Sequence, residues 1–179
     1  DEDYEHYLTN LYGTDYRARR IRGRIDELEG QKATVADMSS IHADTVSIPA
    51  QALSTAILEV TGLDGIYANA AELLKNWDQD LKEDSAAAAI YGASSRELNK
   101  LLAIRGYASL AAAVTGEAVD AGAEDQLRRQ LKPDYIRRLG DGSLAEAPYG
   151  FETADLAELA FRAGVDYLVG RFGDDASKW

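Results

Sequence analysis

Apolar residues recur along this chain with the period of an α-helix, and strand-like alternation is nearly absent. Ile21, Ile25 and Leu28 fall at i, i+4 and i+7, a narrow apolar stripe on a segment otherwise covered in charge. Gly30 stands where a helix end needs a residue free to turn left-handed. Thr34, followed three positions later by Asp37, has the form of a capping box, with Asp in place of the commoner Glu. Behind it Val35, Met38, Ile41, Thr45 and Val46 keep one face apolar. Pro49 either bends or interrupts this helix or starts a second one. Ala52, Leu53, Ala56, Ile57 and Val60 then carry the face on to the turn Gly62-Leu63-Asp64-Gly65.

A further helix is predicted from Ala68 to Trp77, and a polar connection from Asp78 to Asp84. Ser85 occupies an N-cap position ahead of Ala86-Ala87-Ala88-Ala89-Ile90-Tyr91, a run with high helix propensity whose small side chains allow close helix contact. Leu98, Leu101 and Leu102 extend the stripe. The glycine-bearing stretch from Ala108 to Asp125 reads as an excursion, and Leu127 to Leu131 as a short helix closed by Pro133. Gly140 to Gly150 reads as loop. Thr153, Leu156, Leu159, Ala160, Ala163, Tyr167 and Leu168 mark a last amphipathic helix ending near Gly173. The pattern predicts an all-α protein, an irregular bundle of six or seven helices.

Composition narrows the partners. At 179 residues the chain has room for one compact domain with a real core, and 46% hydrophobic with 28% charged residues is ordinary for a globular protein. No apolar run approaches the roughly 18 residues of a transmembrane helix. The first residues have neither a basic start nor an apolar stretch, so no signal peptide is expected. Nineteen basic against 31 acidic residues give a net charge of −12. A surface this negative repels phosphate backbones and anionic lipid, so neither nucleic acid nor a membrane is expected as a partner. The absence of cysteine removes disulfides, thiolate metal sites and thiol nucleophiles together.

Four segments in order carry a resemblance. They are Leu11-Tyr12-Gly13-Thr14-Asp15-Tyr16-Arg17-Ala18-Arg19-Arg20-Ile21; Thr34-Val35-Ala36-Asp37-Met38 running on to Ile41, Asp44, Ser47 and Ala50; Leu73-Leu74-Lys75-Asn76-Trp77-Asp78 with Asp84-Ser85-Ala86-Ala87-Ala88; and Arg171-Phe172-Gly173-Asp174-Asp175-Ala176-Ser177-Lys178-Trp179. Together they resemble the penicillin acylase (penicillin amidase) family of N-terminal-nucleophile hydrolases, over nearly the whole chain. The resemblance implies a β-chain piece of a larger α/β enzyme: an N-terminal segment, 1–14, adjoining the active-site core; a helical domain, 15–173; and a stub, 174–179, leading to a core strand.

The family's chemistry, as the resemblance implies it, needs an N-terminal Ser that uses its own α-amino group as base and attacks an amide carbonyl to give an acyl-enzyme. An Asn side chain and backbone N–H groups stabilise the oxyanion. Position one here is Asp1, so the nucleophile and the oxyanion Asn are expected outside this sequence, and the isolated chain is expected to be inactive. The family's supporting arginine falls on Arg17, where it contributes fixed positive charge and hydrogen bonds. Read from the residues alone, Arg17 is one of five arginines on a charged helix start, and such runs usually face solvent. The implied parent hydrolyses linear amides of N-acyl compounds, such as β-lactam side chains or acyl-homoserine lactones. Its partners are the remainder of the acylase α and β chains. The residues leave localisation unknown; the resemblance alone, with many relatives exported, points to the periplasm or secretion for the parent.

Other chemistry finds less support. His42 lies beside the apolar face and reads as a packed or edge histidine; a triad of Ser85, His42 and Asp84 fits no local signature. Asp78, Asp80, Glu83 and Asp84 offer oxygen ligands without the glycine and spacing of an EF-hand loop. Relatives often carry a structural calcium, partly held by an acid near this chain's start. His6 occupies that position, with Asp3 and Glu5 nearby, so no metal or other cofactor is assigned to this chain. Tyr12, Tyr16, Trp77 and Tyr91 could line an acyl pocket, but at helical spacing aromatics are more often core. The alternative to an amidohydrolase piece is an independent acidic helical binding module without catalysis.

Overall fold

The computed structural model of the chain describes residues 14–114, 121–143 and 153–179, with side chains described for 14–102, 131–143 and 156–179. Seven α-helices and one 3-10 turn make up its secondary structure among these residues: α1 (Tyr16–Asp26), α2 (Val35–His42), α3 (Ile48–Leu58), α4 (Gly65–Lys75), α5 (Ala86–Val114), α6 (Ala121–Asp141), α7 (Thr153–Phe172) and the turn Ala176–Lys178. The all-α bundle expected from the periodicity is what forms. The contacts gather into two compact units, Asp1–Asp44 and Thr45–Trp179.

In the first unit, local rules set the helix ends. α1 closes earlier than predicted, at Asp26 with Glu27 as its C-cap, and Gly30, with a φ of 77°, lies in the turn beyond it. At α2 the capping box closes as expected: the Thr34 Oγ1 accepts from the Asp37 amide at 3.2 Å, and the Asp37 carboxylate accepts from the Thr34 amide at 2.8 Å. The apolar stripes behave differently. No residue of α1 is buried, and on α2 only Ile41 is, while Val35 is 84% exposed. The apolar face also stops earlier than predicted. The helix ends at His42, and Val46, which already belongs to the second unit, forms an antiparallel bridge with Asp80 of that same unit.

The second unit is built around α5, against which α3, α4, α6 and α7 all pack. Pro49 proves to start a helix, occupying the first turn of α3, where its missing N–H has no intrahelical partner to lose. Ser85 caps α5 by accepting from the Ala88 amide at 3.1 Å. Leu53 and Ile57 of α3, Leu74 of α4, Ile90, Leu98 and Leu102 of α5, and Leu156, Phe161 and Val165 of α7 form the core. At the crossing of α5 and α7, Gly164 lies directly on the backbone of Ala93 and Ser94. Two cation–π contacts brace α7: Arg96 of α5 sits 3.7 Å over the Tyr167 ring, and Arg162 sits 4.9 Å over the ring of Tyr67 of α4. The Tyr67 hydroxyl donates to Asp166 at 2.7 Å.

Three expectations need correction here. α5 runs on to Val114 and α6 begins at Ala121, so both ends of the predicted excursion are helix; residues 115–120 lie outside the described residues. Pro133 does not close a short helix but sits inside α6, which runs on to Asp141. Burial of Leu131, Tyr135 and Ile136 on either side of it holds the helix together across the missing N–H. The predicted loop therefore begins only at Gly142, whose φ is 76°.

Candidate functional site

Arg17, Arg20 and Arg24 stand at i, i+3 and i+7 of α1 and so share one helical face. All three turn toward the segment that follows α2. There Asp44 is the common partner, with a side chain only 6% exposed. Arg20 grips its carboxylate with a two-pronged fork, Nε to Oδ1 at 2.9 Å and Nη2 to Oδ2 at 2.6 Å. Arg24 brings its Nε to 3.5 Å from the same Oδ2, close enough for an ion pair but not aligned as a hydrogen bond. Its two terminal nitrogens donate to Glu27 at 3.0 Å and to the Ser40 hydroxyl at 3.2 Å.

Arg17 differs from its two neighbours. Its Nη1 donates to the main-chain oxygen of Asp44 at 3.0 Å, and Nη2 reaches the main-chain oxygen of His42 at 3.5 Å. These are carbonyls at the C-terminal end of α2, where the helix dipole favours a cation. Both of its hydrogen bonds among the described residues go to neutral oxygens, while Arg20 and Arg24 pair with carboxylates. The Arg17 side chain remains exposed. Arg19, by contrast, points to Asp15 at 3.8 Å and to the face of Tyr16.

The remaining candidates fall into structural places. His42 is exposed at the end of α2, an edge histidine. Ser85 spends its hydroxyl on the helix cap. In the loop after α4, Asp80 receives the Thr45 hydroxyl and the Lys82 ammonium, the latter at 2.8 Å. Trp77 and Tyr91 are buried with ring centroids 5.5 Å apart, and the Trp77 indole N–H donates to the Asp80 carbonyl at 3.0 Å. Tyr12 and the Asp3, Glu5 and His6 positions lie outside the described residues. The partnership of Asp44 with Arg20 and Arg24 was not read from the sequence. The spacing of three arginines along one face was a usable signal that a carboxylate should oppose them.

Comparison with known proteins agrees with the motifs. The family described as penicillin amidase matches residues 1–179. The chain is also similar to the penicillin acylase 2 proenzyme of Pseudomonas sp. (strain SE83), at 34% identity over 173 residues, covering 95% of this chain and 21% of that protein. The chain thus spans about a fifth of the length of the curated relative it matches. With the family matched from the first residue to the last, this chain belongs to the penicillin amidase family.

Proposed function

We propose that these 179 residues are the helical flank of an amidohydrolase that opens linear amides of N-acyl compounds, such as β-lactam side chains or acyl-homoserine lactones, and that Arg17 is their contribution to its chemistry. The nucleophilic Ser, the oxyanion Asn and most of the acyl pocket belong to the rest of the enzyme, which supplies the chain's partners. The serine oxygen attacks the amide carbonyl while the α-amino group takes its proton; the amine leaves with that proton, and water releases the acyl group. Negative charge gathers on the carbonyl oxygen in each half of the reaction. A guanidinium fixed nearby stabilises that charge without reorganising.

One observation carries this reading: Arg17 donates to the Asp44 carbonyl at 3.0 Å and reaches that of His42 at 3.5 Å, with no carboxylate partner among the described residues, while Arg20 and Arg24 are paired with carboxylates. A guanidinium placed by main-chain oxygens, without a carboxylate partner, suits an electrostatic role. The exposed apolar side chains of Ile25, Val35 and Met38 further support a covering partner for α1 and α2. Ile25 and Met38 line an open groove of about 420 Å³, together with Leu28 and Ala33.

The test is Arg17→Ala in the mature enzyme that contains this chain. The expected result is a fall in kcat of roughly 10²–10³-fold, with KM changed far less. An unchanged kcat would remove Arg17 from the chemistry. The chain alone, offered a chromogenic phenylacetyl amide, is expected to show no turnover; hydrolysis would place a nucleophile within these residues.

A further inference from the structure

We infer that Asp44 is a positioning residue that holds Arg17 in place, an inference that rests on the role proposed for Arg17 above. Of the two carbonyls that Arg17 reaches, that of His42 is the last of α2, while that of Asp44, the nearer at 3.0 Å, belongs to a residue that has already left the helix. Ala43 is the C-cap, and the Asp44 amide reaches back to Ile41 across 3.4 Å, a long and weak bond. Helical hydrogen bonding therefore does little to fix the Asp44 carbonyl.

The Asp44 side chain does that work. Its carboxylate is nearly buried and is gripped at 2.9 and 2.6 Å by the rigid fork of Arg20, with Arg24 beside it. Arg20 and Arg24 sit on the same helical face as Arg17. The fork thus locks α1 to residue 44, and the carbonyl of that same residue receives Arg17. One residue serves as clamp through its side chain and as seat through its main chain. Loosening the clamp lets the seat drift, and an ångström of drift at a catalytic group is enough to slow a reaction roughly a hundredfold.

The experiment is a double-mutant cycle in the mature enzyme: unaltered, Asp44→Asn, Arg17→Ala, and both together, each checked for maturation and thermal unfolding. Asp44→Asn keeps the shape and the main-chain carbonyl but removes the charge that Arg20 and Arg24 grip. The expected result is a fall in kcat of roughly ten- to a hundredfold in the presence of Arg17. In the Arg17→Ala background, the same change should alter kcat by no more than about twofold, because the group it positions is gone. An equal loss in both backgrounds, or no loss with Arg17 present, overturns the positioning role while leaving Arg17's own role standing, provided Arg17→Ala is itself slow. If Arg17→Ala is fully active, both readings fall. Should Asp44→Asn fail to mature, Arg20→Lys removes the fork but keeps the cation, and the same cycle with Arg17→Ala carries the same expected and overturning outcomes.

Discussion

Gly164 on α7 lies so close to Ser94 on α5 that a Cβ at position 164 would stand 2.6 Å from the Ser94 amide nitrogen. The next nearest atoms, Ala93 C and Ser94 Cα, would each be at 2.9 Å. All are backbone atoms in a helix and cannot swing aside. Gly164→Ala must therefore push the two helices apart and is expected to cost about 1–3 kcal/mol, read as a lower unfolding midpoint. Gly92→Ala is the control: it sits in α5 with nothing within 4 Å of its new methyl, so helix propensity should raise the midpoint. Equal effects at the two positions would contradict the close crossing.

Trp77 joins the loop after α4 to the core in two ways, through its ring against Tyr91 and its N–H to the Asp80 carbonyl. Trp77→Phe keeps most of the ring contact and loses the hydrogen bond, for an expected loss of about 1 kcal/mol. Trp77→Ala removes both and should lose about 3–5 kcal/mol. Denaturant unfolding of the two variants separates these contributions, and similar losses would mean that the ring contributes little.

Two carboxylates should stay ionised at unusually low pH. The Lys178 ammonium and the Ser177 hydroxyl hold Asp175 down from an ordinary 3.8 to about 2, and the Thr34 hydroxyl and amide hold Asp37 below the same value. Each binds its proton less readily in the folded chain than in the unfolded one. Their contribution to stability is thus complete above pH 3.8 and is lost as pH falls, for Asp175 between 3.8 and about 2. Carboxyl-carbon NMR titration should find both midpoints below 3.8, with Thr34→Val moving Asp37 back toward it and Lys178→Met moving Asp175. Midpoints at the ordinary value would remove the capping and ion-pair contributions.

Pro133 stands inside α6, where it cannot donate to the preceding turn. Pro133→Ala restores the N–H and leaves the buried Leu131, Tyr135 and Ile136 untouched, so the unfolding midpoint should rise, by the order of 1 kcal/mol. A fall would mean that the proline's bend is itself needed for packing on α3 and α5.

Much of this protein could be read along the chain because the signals are local. The Thr34–Asp37 box, the Ser85 cap and the glycines at 62 and 173 each act within one turn of backbone and do in the fold what their chemistry predicts, whereas α1 ends at Asp26, before Gly30, and the choice left open at Pro49 falls to a helix start. The order of four motifs, too, sufficed to place the chain in its family. What failed were inferences that periodicity alone would decide burial. Val35 and Met38 share a helical stripe with Ile41, yet only Ile41 is covered, because an apolar face says what could be buried and not what arrives to bury it. The same limit applied at Pro133 and at both ends of the predicted excursion, where helix continues.

The candidate site divides in the same way. Arg17 was singled out by its place in a motif, a property of sequence. Asp44 stood in a motif too, but its partnership with Arg20 was not read, because it spans 24 positions and depends on α1 and α2 folding back on each other. Helix starts such as those at Thr34 and Ser85 are settled by hydrogen bonds between near neighbours, so the sequence by itself determined them. Which arginine pairs with a carboxylate and which with main-chain carbonyls depends on where the Asp44 side chain comes to rest, and only the tertiary structure decided that.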